Sequence, residues 1–379
     1  MSGRAAEGGA LVFAGGGTGG HLFPSLAVVE QLALRRGEPT PPVHFICSDR
    51  PIDRRVLDKA GVAYTPLSIG GVPASLARKA AYPFRFLAAT GRSRRTLEAV
   101  DAAVVVAMGG FISAPVGRAA RKLGLPVIRV NLDAVAGKAN RWLVGARDRL
   151  FSVYDQPGLA GQFETIGYPL RRCVIGRSDP AEARAALGLK PEPATLLITG
   201  ASQGARTINQ AAEALARRGA LRPWQVLHLA GEGNVESIQR AYREAGVNGK
   251  VLAFLEEMHL AWSAADLAIS RAGAGSVAEV RANAVPTLFM PYPYHADEHQ
   301  RQNASPLEKA GAAVIIDDHV DPQLNADQLE QALAALRSDE ASRRAMRDRL
   351  AELSFENGAA RLAEAAVELR DRHRGGGRL

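Results

Sequence analysis

Short apolar segments alternate with longer helix-forming segments along the chain, and this alternation constrains the fold more than any other feature. In the first half, the apolar segments are residues 11–14, 43–47, 104–107 and 127–130. Runs of this length without a polar face are typical of strands in a parallel sheet that is covered on both sides. Between them lie alanine- and arginine-rich amphipathic stretches such as 25–36 and 114–123. Strands that alternate with helices predict a doubly wound α/β fold.

The alternation begins again in the second half, which predicts two domains. An apolar segment at 195–199 is followed by a glycine turn and by a helical segment at 206–217. Further apolar segments are 226–230, 250–254, 267–270, 287–291 and 313–316. Because one hydrophobic core rarely serves more than ~250–300 residues, a chain of 379 residues is expected to divide. We predict two Rossmann-like domains, residues 1–166 and 167–355, that face each other across a cleft at the carboxyl ends of their strands.

The charge and the cysteine content narrow the range of partners and compartments. The chain has 47 Lys and Arg against 39 Asp and Glu, and the resulting net charge of +8 favours a polyanionic partner such as nucleic acid, anionic lipid or a phosphate-bearing substrate. Two cysteines in so long a chain, Cys47 and Cys173, indicate free thiols in a reducing compartment. Without a secretory signal or a run of ~18 apolar residues, we expect a cytosolic protein that has no membrane-spanning helix.

The first apolar segment runs directly into a glycine-rich loop, and a histidine follows the loop. Gly15, Gly17 and Gly20 match the spacing of the dinucleotide-binding fingerprint, but no acidic residue stands in the expected place ~20 residues later, which argues against NAD. Glycines at this corner let a polar ligand approach the N-terminus of the following helix. There His21 is expected to stay neutral in the local positive field and to accept a proton from an attacking hydroxyl. The alternative is a histidine that only caps the turn.

The glycine turn of the second half follows the same plan. Within residues 200–205, Ser202 offers a hydroxyl and a backbone N–H at a helix N-terminus, and both suit a diphosphate. The turn lacks the lysine of a P-loop, which argues against an ATPase. The alternative is an ordinary connection between a strand and a helix.

A second helix start, within residues 270–279, is built from small side chains and is followed by a glutamate. Glu279 is expected about one turn into this helix, where its carboxylate could accept hydrogen bonds from two ribose hydroxyls. The alternative is an acid that only interacts with the positive end of the helix dipole.

A polar loop follows the fifth apolar segment of the second half. Asp297, His299 and Gln300 carry groups that could bind the hydroxyls of a sugar ring. A metal site that combines His295, Asp297 and His299 is the competing interpretation. No Asp-x-Asp pair follows another strand, and we interpret the acidic pair at 317–318 as solvated turn residues. We therefore expect neither a bound metal nor another cofactor.

The stretch of residues 77–95, from Ala77 to Arg95, combines basic and aromatic side chains and contains no acidic residue. Its basic residues are Arg78, Lys79, Arg85, Arg92, Arg94 and Arg95, and its large apolar residues are Tyr82, Phe84, Phe86 and Leu87. This composition is typical of a surface that attracts anionic lipid and buries aromatic rings shallowly. The alternative is a helix with an ordinary core face and a solvated basic face. Nucleic acid is not an expected partner, because no recognised nucleic-acid-binding module accompanies the stretch.

Seven segments along the chain resemble the MurG family, the bacterial N-acetylglucosaminyltransferases of glycosyltransferase family 28. They are GGTGGHLFP at 16–24, MGGFISAP at 108–115, AGKANRWL at 136–143, GYPLR at 167–171, GASQGAR at 200–206, SRAGAGSVAEV at 270–280 and HQRQNASPLEKAGAA at 299–313. They occur in the family's order and cover most of the chain. Any one of them recurs in related two-domain transferases, whereas the full set is much more specific.

The resemblance implies a GT-B fold and a metal-independent, inverting hexosyltransferase. It implies transfer of GlcNAc from UDP-GlcNAc to the 4-hydroxyl of undecaprenyl-diphospho-muramoyl-pentapeptide, the step from lipid I to lipid II in peptidoglycan synthesis. It also implies peripheral attachment to the cytoplasmic face of the bacterial cell membrane, for which residues 77–95 are the candidate surface. The C-terminal domain would bind the donor. The end of the chain, residues 339–373, reads as one or two long helices, and a terminal helix at about 356–374 would rejoin the N-terminal domain.

The resemblance also assigns residues to the site. The residues that would bind the UDP-GlcNAc donor are Arg171, Ser202, Leu255, Ala274, Gly275, Ser276, Val277, Ala278, Glu279, His299 and Gln300. Within this set, Leu255 would offer its backbone to uracil and Glu279 would hold the ribose. The residues that would face the acceptor and the reacting sugar are Thr18, Gly19, Gly20 and His21.

Three departures from the family pattern lie near the acceptor side. The family usually has His-Glu-Gln-Asn where residues 130–133 read Val-Asn-Leu-Asp, tyrosine where Phe111 stands, and asparagine where Tyr168 stands. The first change moves a carboxylate by two positions, to Asp133. The base is therefore either His21 or Asp133, and the acceptor is either the lipid-linked muramoyl-pentapeptide or another lipid or small molecule. A UDP-GlcNAc epimerase of the same architecture and a non-catalytic homologue are two further candidates.

Overall fold

The computed structural model divides into two compact units, Met1–Arg171 with Glu356–Leu379, and Arg172–Phe355. The structure describes residues 9–17, 19–35, 39–70, 76–136, 148–155, 163–176, 178–200, 204–294 and 297–375, with residues 76–80 described as backbone only. The expected domain boundary after residue 166 lies five residues before the boundary between these units. Gly167 and Arg171 therefore belong to the first unit.

The first unit contains a seven-stranded sheet in the order β3-β2-β1-β4-β5-β6-β7. Its strands are β1 (Ala10–Ala14), β2 (Val43–Ser48), β3 (Ala63–Leu67), β4 (Ala102–Ala107), β5 (Val127–Asn131), β6 (Arg149–Ser152) and β7 (Glu164–Thr165). All neighbouring strands pair in parallel. The helices between them are α1 (Gly19–Leu34), α2 (Pro51–Ala60), α3 (Leu76–Ala99) and α4 (Gly110–Lys122). Strands β1 and β4 are buried along their whole length, as expected for a sheet covered on both faces.

The second unit contains a six-stranded parallel sheet in the order β10-β9-β8-β11-β12-β13. Its strands are β8 (Thr195–Thr199), β9 (Gln225–Leu229), β10 (Asn248–Leu252), β11 (Leu267–Ser270), β12 (Thr287–Phe289) and β13 (Ala313–Ile315). Its helices are α5 (Pro180–Ala186), α6 (Arg206–Arg217), α7 (Val235–Glu244), α8 (Met258–Ala264), α9 (Ala274–Asn283), α10 (His299–Lys309), α11 (Pro322–Ser338) and α12 (Glu340–Glu352). The prediction of two doubly wound parallel-sheet domains is confirmed.

Helix α1 begins at Gly19, before the predicted amphipathic stretch 25–36, and Pro24 lies inside the helix. Proline has no N–H and cannot bond the carbonyl four residues before it, which here is that of Gly20. The hydroxyl of Tyr168 approaches this carbonyl oxygen at 3.4 Å. A side chain from the end of the first unit's main segment thus partly replaces the backbone bond that Pro24 removes.

The end of the chain forms two helices that belong to different units. Helix α12 is part of the second unit, whereas the last helix, α13 (Ala359–Arg374), returns to the first unit and packs against α1 and β4. The return is fixed where residues 166–171 meet residues 356–358. The side chain of Asn357 accepts a hydrogen bond from the amide of Leu170 at 3.2 Å and donates one to its carbonyl at 2.8 Å.

Two glycines make this backbone contact possible. A Cβ atom on Gly167 would lie 1.6 Å from the carbonyl oxygen of Glu356, and one on Gly358 would lie 2.0 Å from that of Gly167. These contacts are with backbone atoms, so no rotamer change relieves them. The segment that carries α13 back to the first unit therefore requires glycine on both sides of the contact.

We expect Gly167→Ala to destabilise the first unit, because the added methyl group forces the two backbone segments apart. Overpacking of this kind costs about 1–3 kcal/mol, and urea unfolding of the full chain measures the loss. Gly117→Ala is the matched control, since Gly117 lies inside α4 with no atom within 4 Å of its Cβ position. Alanine there is expected to be neutral or stabilising. Equal stability of the two variants would contradict the tight contact.

Candidate functional site

Each sheet has one point where the chain reverses the direction in which strands are added. It lies between β1 and β4 in the first unit and between β8 and β11 in the second. In open α/β sheets, ligands bind beyond the carboxyl ends of the two strands at this point, because the helices that follow them lie on opposite faces. In both units a glycine-containing turn follows each of the two strands. Each unit therefore has its own candidate ligand-binding edge.

In the first unit, the side chain of His21 packs against two glycines that follow β4. Gly109 and Gly110 have φ angles of 102° and 75°, which L side chains rarely adopt. A Cβ atom on Gly109 would lie 3.2 Å from the imidazole ring, and one on Gly110 would lie 3.1 Å from it. The backbone angles and the ring contact both require glycine at these positions. The structure thus places the first glycine loop and the segment 108–111 side by side.

The imidazole of His21 is held in its neutral form. Burial lowers its pKa, while the negative charges of Asp133 and Asp53 and a hydrogen bond with the backbone of Gly16 act in the opposite direction and only partly offset it. A neutral imidazole has a lone pair that can accept a proton. The sequence predicted a lowered pKa from the helix N-terminus, whereas the structure identifies burial as the main cause.

The two candidate bases lie in the same unit, and the charge of Asp133 affects the pKa of His21. Asp133 follows β5 and is partly exposed, and its charge raises the pKa of His21. The nearby Asn131 has a structural role. Its buried side-chain amide donates hydrogen bonds to the backbone carbonyl of Asp133 at 2.8 Å and to Ser152 Oγ at 3.1 Å. Asn131 therefore shapes the loop that carries Asp133, which accounts for one departure from the family pattern.

The glycine loop before α1 is fixed by two side chains that the sequence analysis did not select. Asp53, in the first turn of α2, is fully buried, and its Oδ2 accepts a hydrogen bond from the Gly17 amide at 2.8 Å. Arg50 donates a hydrogen bond through Nη1 to the Gly17 carbonyl at 2.6 Å, and its guanidinium lies 6.0 Å from the centre of the Phe111 ring. A polar residue at the start of the helix after β2 was the available signal, but such residues more often serve the helix itself. Gly19 and Gly20 open α1, and Thr18 lies outside the described residues.

In the second unit, Gly204, between β8 and α6, packs against a buried hydrogen-bond network. A Cβ atom on Gly204, whose φ is 72°, would lie 2.1 Å from the carbonyl oxygen of Ala230. That carbonyl accepts a hydrogen bond from the amide of Asn209 at 2.9 Å, and Asn209 Oδ1 lies 3.1 Å from Nε2 of the buried His228. Burial lowers the pKa of His228 to about 3, so it is a neutral structural group. Ser202 lies outside the described residues.

The start of α9 is open to an anion. Its N-cap residue, Gly273, makes no side-chain cap, and the first turn contains no acidic residue. Ala274, Gly275 and Ser276 form this turn, so its N–H groups are flanked only by small side chains. The next two residues of the predicted set, Val277 and Ala278, are buried in the core of the unit. Any contact of these two residues with a ligand would involve their backbone.

Glu279 lies further along α9 and is held by a tryptophan. Trp262 donates a hydrogen bond through Nε1 to the Glu279 carboxylate at 3.1 Å. Burial raises the pKa of Glu279 to about 7, while the bond from Trp262 acts in the opposite direction. The carboxyl group therefore titrates near neutral pH. Trp262 was not selected in the sequence analysis.

Two of the three predicted sugar-binding residues begin a helix, whereas Asp297 lies in the loop before it, as predicted. His299 and Gln300 are the first two residues of α10. Gln300 Nε2 lies 4.0 Å from the Cβ position of Gly273, and its Oε1 accepts a hydrogen bond from the Tyr292 amide at 2.9 Å. His299 Nδ1 lies 2.8 Å from Asp297 Oδ1. Gln300 thus lies beside the open start of α9.

Two further residues that were predicted to bind the donor lie among the described residues. The side chain of Leu255 packs against the core of the second unit, in the segment between β10 and α8. Arg171, in the first unit, forms an ion pair with Glu30 of α1, with Nε 2.8 Å from Oε1. A phosphate contact by Arg171 would therefore compete with Glu30.

The interpretation of both residues 317 and 318 as solvated acids is wrong for Asp318. Its carboxylate is buried and pairs with Arg271, whose Nη1 lies 2.8 Å away, and it accepts a hydrogen bond from Thr207 Oγ1 at 2.5 Å. Asp317 is exposed, as predicted. Across the described parts of the chain, no three His, Cys, Asp or Glu residues come together in a group that could hold a metal ion.

Residues 77–95 lie within the single long helix α3. Tyr82 and Phe86 pack against the core of the first unit. Phe84 and Leu87 point outward, with 75% and 53% of their surface exposed. The helix therefore has a core face, as the second interpretation predicted, and an exposed face that is apolar and basic. No helix in the described part of the chain combines the length and the apolar character needed to cross a membrane.

Comparisons with known proteins agree with this architecture. The N-terminal domain model of glycosyltransferase family 28 matches residues 11–152, and the C-terminal domain model of the same family matches residues 195–362. The crystal structure of Acinetobacter baumannii MurG is 28% identical, with a TM-score of 0.70 over 95% of this chain and 99% of that chain. The glycosyltransferase of kitacinnamycin (20% identity, TM-score 0.64, covering 96% of this chain and 100% of that one) and the Staphylococcus aureus MnaA–UDP structure (12%, 0.62, 97% of each) share the fold.

Proposed function

We infer the function from the premise that the chain belongs to glycosyltransferase family 28 and is therefore a glycosyltransferase. We propose that it transfers GlcNAc from UDP-GlcNAc, with inversion, to the 4-hydroxyl of undecaprenyl-diphospho-muramoyl-pentapeptide. The similarity to A. baumannii MurG, which extends over 95% of this chain, supports this acceptor. The observation that carries the proposal is the neutral His21 imidazole at the carboxyl edge of the first sheet, because the transfer needs a base for the acceptor hydroxyl.

In the proposed reaction the acceptor oxygen attacks the anomeric carbon of GlcNAc. A new bond forms between that oxygen and the carbon, the bond from the carbon to the UDP oxygen breaks, and His21 takes the hydroxyl proton. The charge of Asp133 favours the imidazolium that results. Asp133 itself is the alternative base. Attack from the face opposite UDP inverts the anomeric carbon.

We propose that the second unit binds the donor and stabilises the leaving UDP. The open N-terminus of α9 supplies backbone N–H groups and the positive end of a helix dipole, which suit the developing diphosphate charge. Ser202 and Arg171 would add contacts to the same phosphates. Glu279 would accept hydrogen bonds from the ribose hydroxyls, and Gln300, beside the start of α9, would bind the sugar with His299. We propose that no bound metal takes part.

A related transferase with a different acceptor is the second candidate. It is favoured by the loop after β5, where Asn131 is a buried structural amide and the carboxylate lies at Asp133. A panel of lipid and small-molecule acceptors separates the two candidates. Conversion of UDP-GlcNAc without any acceptor would identify an epimerase. An absence of turnover with every acceptor, while UDP-GlcNAc still binds, would identify a non-catalytic homologue.

The direct test is transfer of radiolabelled GlcNAc from UDP-GlcNAc to a short-chain analogue of the muramoyl-pentapeptide lipid. We expect the wild-type chain to form the β-linked disaccharide and His21→Ala to reduce kcat by about 10²–10⁴. His373→Ala, in the last turn of α13, is the matched control and should leave the rate unchanged. If His21→Ala kept the wild-type rate, the base would be Asp133.

The metal-independent reaction has its own test. The transfer activity should persist in EDTA, and a loss of activity that Mg²⁺ restores would contradict it.

Donor binding should depend on the protonation of Glu279. The carboxylate form accepts hydrogen bonds from ribose hydroxyls, so affinity for UDP-GlcNAc should be full above pH 7 and fall as the pH drops through the pKa of about 7. Glu279→Gln should weaken binding about tenfold or more and remove this pH dependence, as calorimetry would show. Glu308→Gln, on α10, is the control. A pH dependence that survives in Glu279→Gln would assign it to another group.

We propose that the exposed face of α3 attaches the enzyme to an anionic membrane surface. Phe84 and Leu87 expose apolar side chains, and Arg85, Arg92 and Arg95 are exposed on the same helix. Apolar side chains enter the interface, and each arginine near an anionic surface adds about 1 kcal/mol.

Sedimentation with vesicles tests the α3 surface. Binding to vesicles that contain anionic phospholipid should fall about tenfold or more in a Phe84→Ala/Leu87→Ala double variant, because two apolar side chains no longer enter the interface. Leu324→Ala is the matched control, since Leu324 is 52% exposed on α11 of the second unit. Binding of the wild-type chain to purely zwitterionic vesicles should be weak. Equal binding by the double variant and the control would contradict the assignment.

A further inference from the structure

The carboxylate of Asp53 is buried next to the first glycine loop, and the proposed reaction does not use it. It is fully buried, and three hydrogen bonds converge on its Oδ2. The donors are the Gly17 amide at 2.8 Å, the Ser48 amide at 3.0 Å and the Ser48 hydroxyl at 2.6 Å. Its other oxygen, Oδ1, is also buried and has no hydrogen-bond partner among the described residues. One oxygen of a desolvated charge thus fixes the end of β2 to the glycine loop.

The backbone of the loop is shaped to admit this oxygen. Gly16 has a φ of 155°, and a Cβ atom there would lie 2.3 Å from Asp53 Oδ2. On the outer side, the Arg50 guanidinium bonds the Gly17 carbonyl at 2.6 Å. The two peptide groups of Gly17 are therefore held by charged side chains of opposite sign. Charge-assisted hydrogen bonds of this kind are short and directional.

The peptide group that Asp53 holds is the same one that contacts His21. The Gly17 N–H and the Gly16 carbonyl belong to one planar peptide unit and point in opposite directions. The hydrogen bond between the Gly16 backbone and the imidazole raises the pKa of His21. A bond with this effect has the ring N–H as donor and the carbonyl as acceptor, because it favours the protonated ring.

The contacts of the ring indicate which nitrogen makes this bond. The Cβ position of Gly110 lies 3.2 Å from Nδ1 of His21 and 3.5 Å from the carbonyl oxygen of Gly16. The carbonyl oxygen therefore lies toward the edge of the ring that carries Nδ1. Nε2 lies against Gly109. With Nδ1 as the donor, the neutral ring keeps its lone pair on Nε2.

We propose that Asp53 is a positioning residue for His21 and acts through the Gly16–Gly17 peptide group. Its carboxylate orients the N–H on one side of that group, and the carbonyl on the other side fixes the imidazole as the Nδ1–H tautomer. Nε2 is then the proton acceptor. The catalytic consequence rests on the proposed role of His21 as base, whereas the effect on the tautomer does not. The charged groups that affect the pKa of His21 are Asp133 and Asp53.

The test compares the tautomer of His21 between the wild-type chain and two variants. Long-range ¹⁵N–¹H NMR spectra of the substrate-free full chain measure it. Wild type should show the Nδ1–H form, and Asp53→Asn should show a mixture, because an amide holds the Gly17 N–H less strongly than a carboxylate. Asp133→Asn is the matched control. Both substitutions remove a negative charge and should lower the pKa of His21, but Asp133→Asn should keep the Nδ1–H tautomer. A wild-type tautomer in Asp53→Asn, or an Nε2–H form in wild type, would overturn the proposal.

Kinetics supply a second readout in the transfer assay. Asp53→Asn should lower kcat about tenfold or more, while the KM for UDP-GlcNAc stays unchanged and Asp53→Glu restores part of the rate. A rise in that KM with unchanged kcat would contradict a positioning role. Should Asp53→Asn fail to fold, Ser48→Ala replaces it: loss of one donor loosens the carboxylate, and a tautomer identical to wild type would then overturn the proposal. The NMR test needs no acceptor. The proposed function can therefore be wrong while this inference is right, and the reverse.

Discussion

The structure depends on glycines at which the backbone lies so close to a neighbouring group that any side chain would collide with it. This close approach recurs where the last helix returns to the first unit at Gly167, behind the second glycine turn at Gly204, and on both sides of the His21 ring. At glycine positions of this kind, the absence of a Cβ atom lets a carbonyl, a carboxylate or an imidazole contact a peptide group directly. The chain accepts the entropic cost of glycine there, and it gains fixed geometry at the carboxyl edges of the two sheets.

Much of the fold is predictable from the sequence, because buried parallel strands are apolar without interruption. The predicted segments at 195–199, 206–217 and 267–270 coincide with β8, α6 and β11. Strand β3 was not predicted, since it is largely solvent-accessible and contains a proline, and β7 has only two residues. The start of α1 was placed too late, because a proline near a helix start is normally in the first turn. The structure tolerates it through Tyr168, which lies 148 positions along the chain from the Gly20 carbonyl that it approaches.

The site is only partly predictable, because sequence shows which groups follow strands but not which groups are desolvated. His21 and Glu279 were found from their positions after glycine or small-residue turns. Their altered pKa values come from burial, which depends on contacts distant in sequence. Asp318 was misread for the same reason, since its partner Arg271 lies 47 positions away. Asp53 holds the glycine loop before α1 and Trp262 holds Glu279, and no local pattern distinguishes these two residues from ordinary helix residues.

The return of α13 to the first unit has a consequence for how the protein is made. The first unit is composed of two chain segments separated by the whole of the second unit. During synthesis, the sheet of the first unit can form early, but the helix that covers α1 and β4 emerges from the ribosome only after the whole second unit. The second unit is therefore complete before the first. Until α13 has been synthesised, the nascent first unit exposes the apolar surface of α1 and β4 that this helix covers.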